Sequence, residues 1–120
     1  GALAVAVTPE DRVRAIVRAS FEAGNFRDEV VAAWLNFYVL AQRSAEAKRL
    51  LNIYQRRLRS NLMYGLRPIV GDVADDAAEG IAAMIDGFYI RASVGAGLVD
   101  NEQAVTLVLE HFDLLLERAK

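Results

Sequence analysis

Five apolar stretches with helical spacing run along the chain, and short polar breaks, most of them containing glycine, proline or asparagine, separate them. Apolar and polar residues do not alternate over any sustained stretch, so the pattern predicts no strand. No internal repeat and no low-complexity segment interrupts these stretches. We therefore predict an all-α protein in which five helices form a single domain over residues 1–120.

Polar and proline residues mark the ends of the first three helices. Thr8 and Ser44 are the expected caps, and Pro9 lies in a first turn. Pro68 restricts the residue before it and is expected to end the third helix near Leu66. The first three helices are predicted over residues 8–23, 27–42 and 44–66. Residues 1–7 are interpreted as the tail of a preceding helix.

The fourth predicted helix, in residues 72–97, is apolar on nearly every side, and the other helices are expected to pack around it. Asp72 is expected to cap its start, and Asp75 and Asp76 are expected near the positive end of the helix dipole. Gly95 and Gly97 are expected to close it. Asp100 begins a capping box for the fifth helix, which is expected to end near Lys120.

The fifth helix is also apolar on more than one side, unlike a surface helix with a single apolar stripe. We therefore predict that the last two helices pair with their copies in a homodimer, as a four-helix bundle across a two-fold axis. The predicted interface residues are Ile81, Ile85, Phe88, Val105, Val108, Leu109, Phe112 and Leu116. The alternative is that both helices are the central helices of a monomer.

Composition and charge exclude several functional classes. The net charge of −2 argues against direct binding of a nucleic-acid backbone by this chain. The absence of cysteine excludes a disulfide framework and a thiolate zinc site. His111 is the only histidine, and no nucleotide-binding or metal-binding motif is present, so we predict no enzyme, no cofactor and no metal. The first seven residues are too short to span a bilayer.

The third helix is basic outside its apolar line, with arginines such as Arg56, Arg57 and Arg59. Such a run could contact phosphates. No exposed aromatic residues are interleaved with it, so a solvated face that pairs with acids elsewhere is the favoured interpretation.

The aromatic residues give the chain a candidate ligand site. Trp34, Phe37 and Tyr38 share one helical face, and Tyr54 follows on the third helix. Asp86 lies in the apolar fourth helix three residues before Tyr89, so the two side chains are neighbours on its surface. A carboxylate among aromatic rings must be paired or must bind a cation. The alternatives are a salt bridge to an arginine and a cation pocket enclosed by these rings.

Four stretches, in their order and spacing, resemble the C-terminal domain of TetR-type transcriptional repressors and most closely the BetI branch, which controls glycine betaine synthesis from choline. They are residues 34–38 (WLNFY), 56–62 (RRLRSNL), 83–91 (AMIDGFYIR) and 102–104 (EQA). The aromatic set departs from the branch at Tyr38, where the branch has Trp, and at residues 88–89, where it has Leu-Trp.

The resemblance implies a cytoplasmic regulator that dimerises through the last two helices and contacts no membrane. It implies that operator DNA is bound by an N-terminal helix-turn-helix domain that this chain lacks. It also implies a small-molecule effector, choline or a related quaternary ammonium compound. Trp34, Tyr38, Asp86 and Tyr89 match positions expected to contact it, and Phe37 and Tyr54 complete the predicted pocket. The other hypotheses are a different hydrophobic or cationic effector, and a structural helical dimer with no ligand.

Overall fold

The computed structural model describes residues 8–22, 24–95 and 99–120, and all of its regular structure in these ranges is helical. The five α-helices are α1 (Pro9–Ser20), α2 (Asp28–Ala41), α3 (Ala45–Val70), α4 (Ala74–Ser93) and α5 (Asn101–Ala119). The predicted all-α class and the number of helices are confirmed.

Three helices begin at side-chain caps that the sequence predicts. The oxygens of Thr8, Ser44 and Asp100 each accept a hydrogen bond from the backbone N–H three residues later. These distances are 3.0 Å to Asp11, 3.1 Å to Ala47 and 2.8 Å to Gln103. Each bond satisfies a backbone donor that has no partner within its own helix, which explains why these boundaries agree with the prediction.

The predicted end of α3 near Leu66 is wrong, because the helix continues through Pro68 to Val70. Proline removes one N–H, the one that would bond to the carbonyl of Tyr64. Tyr64 is 71% exposed and Pro68 is exposed as well, so water can reach the backbone on this side of the last turn. The helix ends instead at Gly71, whose φ of 61° favours glycine.

The predicted cap of α4 is also wrong. Asp72 lies in a short 3₁₀ turn, Gly71–Val73, and Val73 precedes α4 without a capping side chain. Asp75 and Asp76 occupy the first turn of α4 as predicted. Gly95 follows the helix with a φ of 70°. The predicted roles of Gly97, Ala23 and residues 1–7 fall outside the described residues.

The core lies between α1, α3, α4 and α5, while α2 packs on α3 and α4. The largest fully buried side chains include Val13, Val17, Phe21, Leu62, Leu66, Ile81, Ile85, Val108 and Phe112. Gly65 allows α1 and α3 to approach closely, since a Cβ there would lie 2.8 Å from Val13 Cγ2. The remaining part of α2 faces outward and forms one wall of the site described below.

Five of the eight predicted dimer-interface residues are core residues of the single chain. Ile81, Ile85, Val108, Leu109 and Phe112 are each at most 8% exposed. Phe88, Val105 and Leu116 are half-buried against the same core. The five buried side chains are already covered within one chain, so they leave almost no surface for a partner. Much of the apolar pattern of α4 and α5 is therefore accounted for by packing within one chain, and the predicted homodimer stays a prediction.

Across the described ranges, none of the helices combines the length and the apolar character that crossing a membrane requires. Within those same ranges, no group of three or more His, Cys, Asp or Glu side chains is arranged to hold a metal ion.

Candidate ligand-binding site

Four aromatic side chains from α2 and α3 form a group centred on Trp34, here called the cleft cluster: Trp34, Phe37, Tyr38 and Tyr54. The ring of Trp34 lies 6.0 Å from Phe37, 6.1 Å from Tyr38 and 4.7 Å from Tyr54, measured between centroids. All four side chains are only partly buried. The spacing of three and four residues on α2 places its three rings on one face, and α3 adds the fourth.

A cavity of about 400 Å³ lies between α2 and α3 beside this cluster; we call it the α2–α3 cleft. Its lining is largely apolar and consists of Glu29, Val30, Ala33, Trp34, Phe37, Leu50 and Tyr54. The volume is within the range of small-molecule sites. Leu50 is 47% exposed and Glu29 is exposed, so the cleft opens at the surface. The predicted pocket enclosed by five rings is therefore replaced by an open cleft with three rings in its wall.

Asp86 lies outside this cleft and is hydrogen-bonded to the cleft cluster. The hydroxyl of Tyr38 donates to Asp86 Oδ1 at 3.1 Å. Among the described residues no salt bridge includes Asp86, so the alternative of an arginine partner is not observed. Burial raises the pKa of Asp86, the hydrogen bond from Tyr38 lowers it, and the charge of Glu79 raises it. The carboxylate is thus held in place by a neutral donor.

Asp86 lines a second cavity, of about 370 Å³, between α3 and α4; we call it the polar groove. Its lining residues are Asn52, Gln55, Arg56, Leu58, Arg59, Glu79, Ala82, Ala83 and Asp86. None of them lines the α2–α3 cleft. Arg59 also bonds to Asp75, which agrees with the interpretation of the basic face of α3 as a surface that pairs with acids. Asp86 thus contacts a ring of the cleft cluster but does not line the cleft.

Tyr89 belongs to a different aromatic group, here called the core cluster: Phe21, Phe26, Phe88 and Tyr89. The ring of Tyr89 lies 5.9 Å from Phe21 and 5.2 Å from Phe26. Its hydroxyl donates to the carbonyl of Ser20 in α1. Burial, with the charges of Tyr54 and Asp86, raises the pKa of Tyr89 to about 12. The hydroxyls of Tyr54 and Tyr89 and the Asp86 carboxylate thus influence one another, although Tyr89 does not line the cleft.

The structure also supplies a cleft residue that the sequence analysis missed, namely Glu29. Of the residues that line the cleft, it alone carries a charge. In the sequence it looks like an ordinary acid in a first helical turn. Its spacing from Ala33 and Phe37, four and eight residues later, could have placed it on the same face.

Residues 9–117 match the family model described as BetI-type transcriptional repressor, C-terminal. The chain belongs to this family. The BetI-type relatives below show the same relationship over nearly the whole chain. No significant match was found among solved structures.

Several curated relatives carry the name HTH-type transcriptional regulator BetI. The protein of Rhizobium meliloti is 52% identical over 111 residues, which is 92% of this chain and 55% of the relative. That of Agrobacterium fabrum is 50% identical over 97% of this chain and 57% of its own length. That of Brucella suis is 46% identical over 96% and 59%. This chain therefore spans between one half and two thirds of the length of these relatives, which are named as transcriptional regulators.

Proposed function

We propose that this chain is the effector-sensing and dimerisation part of a BetI-type transcriptional repressor. The effector is choline or a related quaternary ammonium compound, and the repressor regulates glycine betaine synthesis. Operator DNA is contacted by a helix-turn-helix domain in the part of the relatives' length that this chain does not cover. The net charge of −2 agrees with a domain that binds no DNA itself.

The observation that carries the proposal is the cleft cluster beside an open cavity. A quaternary ammonium group has no N–H to donate, so a protein recognises it through aromatic faces, shape and nearby negative charge. Trp34, Phe37 and Tyr54 present such surfaces in the wall of a cavity of about 400 Å³. An aromatic contact with a desolvated cation contributes about 0.5 to 2 kcal/mol. Two or three such contacts and one carboxylate suffice for binding in the millimolar to micromolar range, about 4 to 8 kcal/mol.

Titration calorimetry with choline tests this proposal on the wild type, Trp34→Ala and Tyr64→Ala. We expect Trp34→Ala to weaken binding about tenfold or more, because the removed ring is the centre of the cluster. Tyr64→Ala is the matched control, since it removes an exposed ring of α3 that does not line the cleft. If the wild type shows no heat of binding, or if both variants bind like the wild type, the proposed effector or its site is wrong.

Dimerisation through the outer surfaces of α4 and α5 is the second part of the proposal. Val73, just before α4, and Leu114 of α5 are 52% and 64% exposed, although both are apolar. The nearest atom to a Cβ built on Gly80 is His111 Nε2 at 3.8 Å, and none of the described residues comes within 4 Å of one on Gly87. Gly87 therefore leaves room for a partner helix, whereas a side chain at Gly80 would contact His111 of α5.

A stable dimer would bury more than about 1,200 Å² in total. Sedimentation at micromolar concentration should then give the mass of two chains. A monomer in that measurement would contradict this part of the proposal and leave the ligand site untouched.

A further inference from the structure

The two carboxylates near the cleft cluster stand in different relations to it. Glu29 lies in the first turn of α2 and lines the α2–α3 cleft directly. Asp86 lies on α4, lines the polar groove, and reaches the cluster only through the hydroxyl of Tyr38. A cation in the cleft would therefore meet Glu29 first.

Glu29 is available to a ligand. Its nearest cationic neighbour is Arg27, at 3.7 Å between Nε and Oε1, with both side chains more than half exposed. An exposed pair at this distance contributes little, so a bound cation can compete with it. Trp34 and Phe37 line the same cleft, so their apolar surfaces would exclude water from one side of a cation bound there and reduce screening.

The surroundings of Asp86 disfavour a cation. Arg56 and Arg59 line the same groove, so positive charge lies close to Asp86 and Glu79, although Arg59 is also paired with Asp75. One carboxylate oxygen already accepts the hydrogen bond from Tyr38. The carboxylate is thus placed to orient the ring of Tyr38, which packs 6.1 Å from that of Trp34.

We propose that the α2–α3 cleft is the cation-selecting site, that Glu29 supplies its negative charge, and that Asp86 is a positioning residue acting through Tyr38. This inference rests on the proposed function, because it assumes that the effector carries a quaternary ammonium group. The sequence pattern assigns the electrostatic role to Asp86 alone. In this inference Glu29 supplies the charge, and Asp86 positions Tyr38.

The test compares two ligands of the same shape and different charge. Choline and 3,3-dimethylbutan-1-ol differ in that a neutral carbon replaces the positive nitrogen, so their affinity ratio measures the contribution of charge. Titration calorimetry would be run with both ligands on the wild type, Glu29→Gln and Asp28→Asn. Asp28 is the matched control, since it is the adjacent residue and does not line the cleft. Both variants change the net charge equally and lie at the exposed start of α2.

We expect Glu29→Gln to weaken choline binding about three- to tenfold, the range for a charge pair partly screened by water. Binding of the neutral alcohol should change less than twofold, about the scatter of such titrations, because Glu29 makes no apolar contact that glutamine lacks. Asp28→Asn should leave the affinity ratio of the two ligands at the wild-type value. Added salt should weaken choline binding to the wild type more than to Glu29→Gln.

The role of Asp86 is tested with Asp86→Ala, Tyr38→Phe and their double variant, and with Asp86→Asn, which removes the charge but keeps an oxygen that can accept from Tyr38. If Asp86 acts through Tyr38, Asp86→Ala should weaken both ligands by a similar factor, and Asp86→Asn should leave the affinity ratio of the two ligands unchanged. The effects of Asp86→Ala and Tyr38→Phe should also fail to add in the double variant, because both remove the same hydrogen bond.

Three outcomes would overturn the inference while leaving choline binding intact. The first is an equal effect of Glu29→Gln and Asp28→Asn on choline. The second is an equal effect of Glu29→Gln on choline and on the alcohol. The third is a loss of choline affinity in Asp86→Asn with no change for the alcohol, which would make Asp86 the charge that contacts the ligand. If the wild type binds neither ligand, the proposed function itself fails and this inference fails with it.

Discussion

The cleft cluster and the core cluster contain four aromatic residues each, yet they differ in what covers their rings. In the core cluster, Phe21 is 1% exposed and packs edge-on against Phe26 and Phe88 at 5.4 and 6.0 Å. In the cleft cluster, no ring is fully buried and three of them line a cavity. Aromatic rings thus pack against one another in the core cluster, whereas in the cleft cluster they line an open cavity. Phe26, Phe88 and Tyr89 are partly buried as well, so the two clusters differ in the fully buried ring of Phe21 and in the α2–α3 cleft beside the other cluster, and not in aromatic content.

The tyrosine hydroxyls show the same contrast. The hydroxyl of Tyr89 donates to a backbone carbonyl of α1, so it fastens α4 to α1. The hydroxyl of Tyr38 donates to the side chain of Asp86, which lines the polar groove. The first bond joins two core helices, whereas the second joins a cleft ring to a partly solvated carboxylate. The three predictions below test this contrast.

The largest expected difference is in stability. Phe21→Ala should lower the free energy of unfolding by about 3 to 5 kcal/mol, the usual range for removing a buried phenylalanine. Trp34→Ala should lower it by roughly half as much, since its ring is only partly buried and the cavity beside it already exists. Urea unfolding followed by circular dichroism measures both, because Trp34 is the only tryptophan and its loss removes the fluorescence signal. Equal losses in the two variants would refute the division into core and cleft clusters.

A smaller difference is expected for the two hydroxyl groups. Tyr89→Phe should destabilise the protein by about 1 kcal/mol, since it leaves the carbonyl of Ser20 without its donor. Tyr38→Phe should destabilise it less, because the Asp86 carboxylate can be solvated from the polar groove. The same unfolding experiment compares the two variants. A larger loss for Tyr38→Phe would show that the bond to Asp86 is part of the core.

The smallest expected effect is the pH dependence that Asp86 contributes. Burial raises its folded-state pKa above the ordinary value of 3.8, so the folded protein holds this proton more tightly than the unfolded chain. The resulting stabilisation is complete below 3.8 and is lost as the pH rises through the folded-state pKa. The stability of Asp86→Asn relative to the wild type should therefore increase as the pH rises above 3.8.

Unfolding at a series of pH values measures this difference, with Asp28→Asn as an exposed control. A difference between Asp86→Asn and the wild type that stays constant with pH would mean that the environment of Asp86 does not perturb its titration. A difference that falls with rising pH would mean that Asp86 is stabilised in its charged form, for example by Arg56 across the polar groove.

The helices and most of their boundaries could be predicted from the sequence, because they depend on contacts within a few residues. Thr8, Ser44 and Asp100 each cap a helix through an N–H three positions away, which needs no distant partner. The two wrong boundaries, at Pro68 and Asp72, lie where one helix follows another through a single turn. Whether Pro68 ends α3 depends on water access to the lost hydrogen bond, and hence on the packing of that turn.

The candidate site required the tertiary structure. Helical spacing places Trp34, Phe37 and Tyr38 on one face, and the sequence alone therefore determines that group. It does not determine that Tyr54 joins the group, that Tyr89 packs on Phe21 instead, or that Glu29 lines the cavity while Asp86 does not. These contacts join residues far apart in the chain, and they depend on how α2 lies across α3 and α4. The periodicity of a helix specifies which residues share a face, whereas the packing of its neighbours decides which faces are covered and which remain open to a ligand.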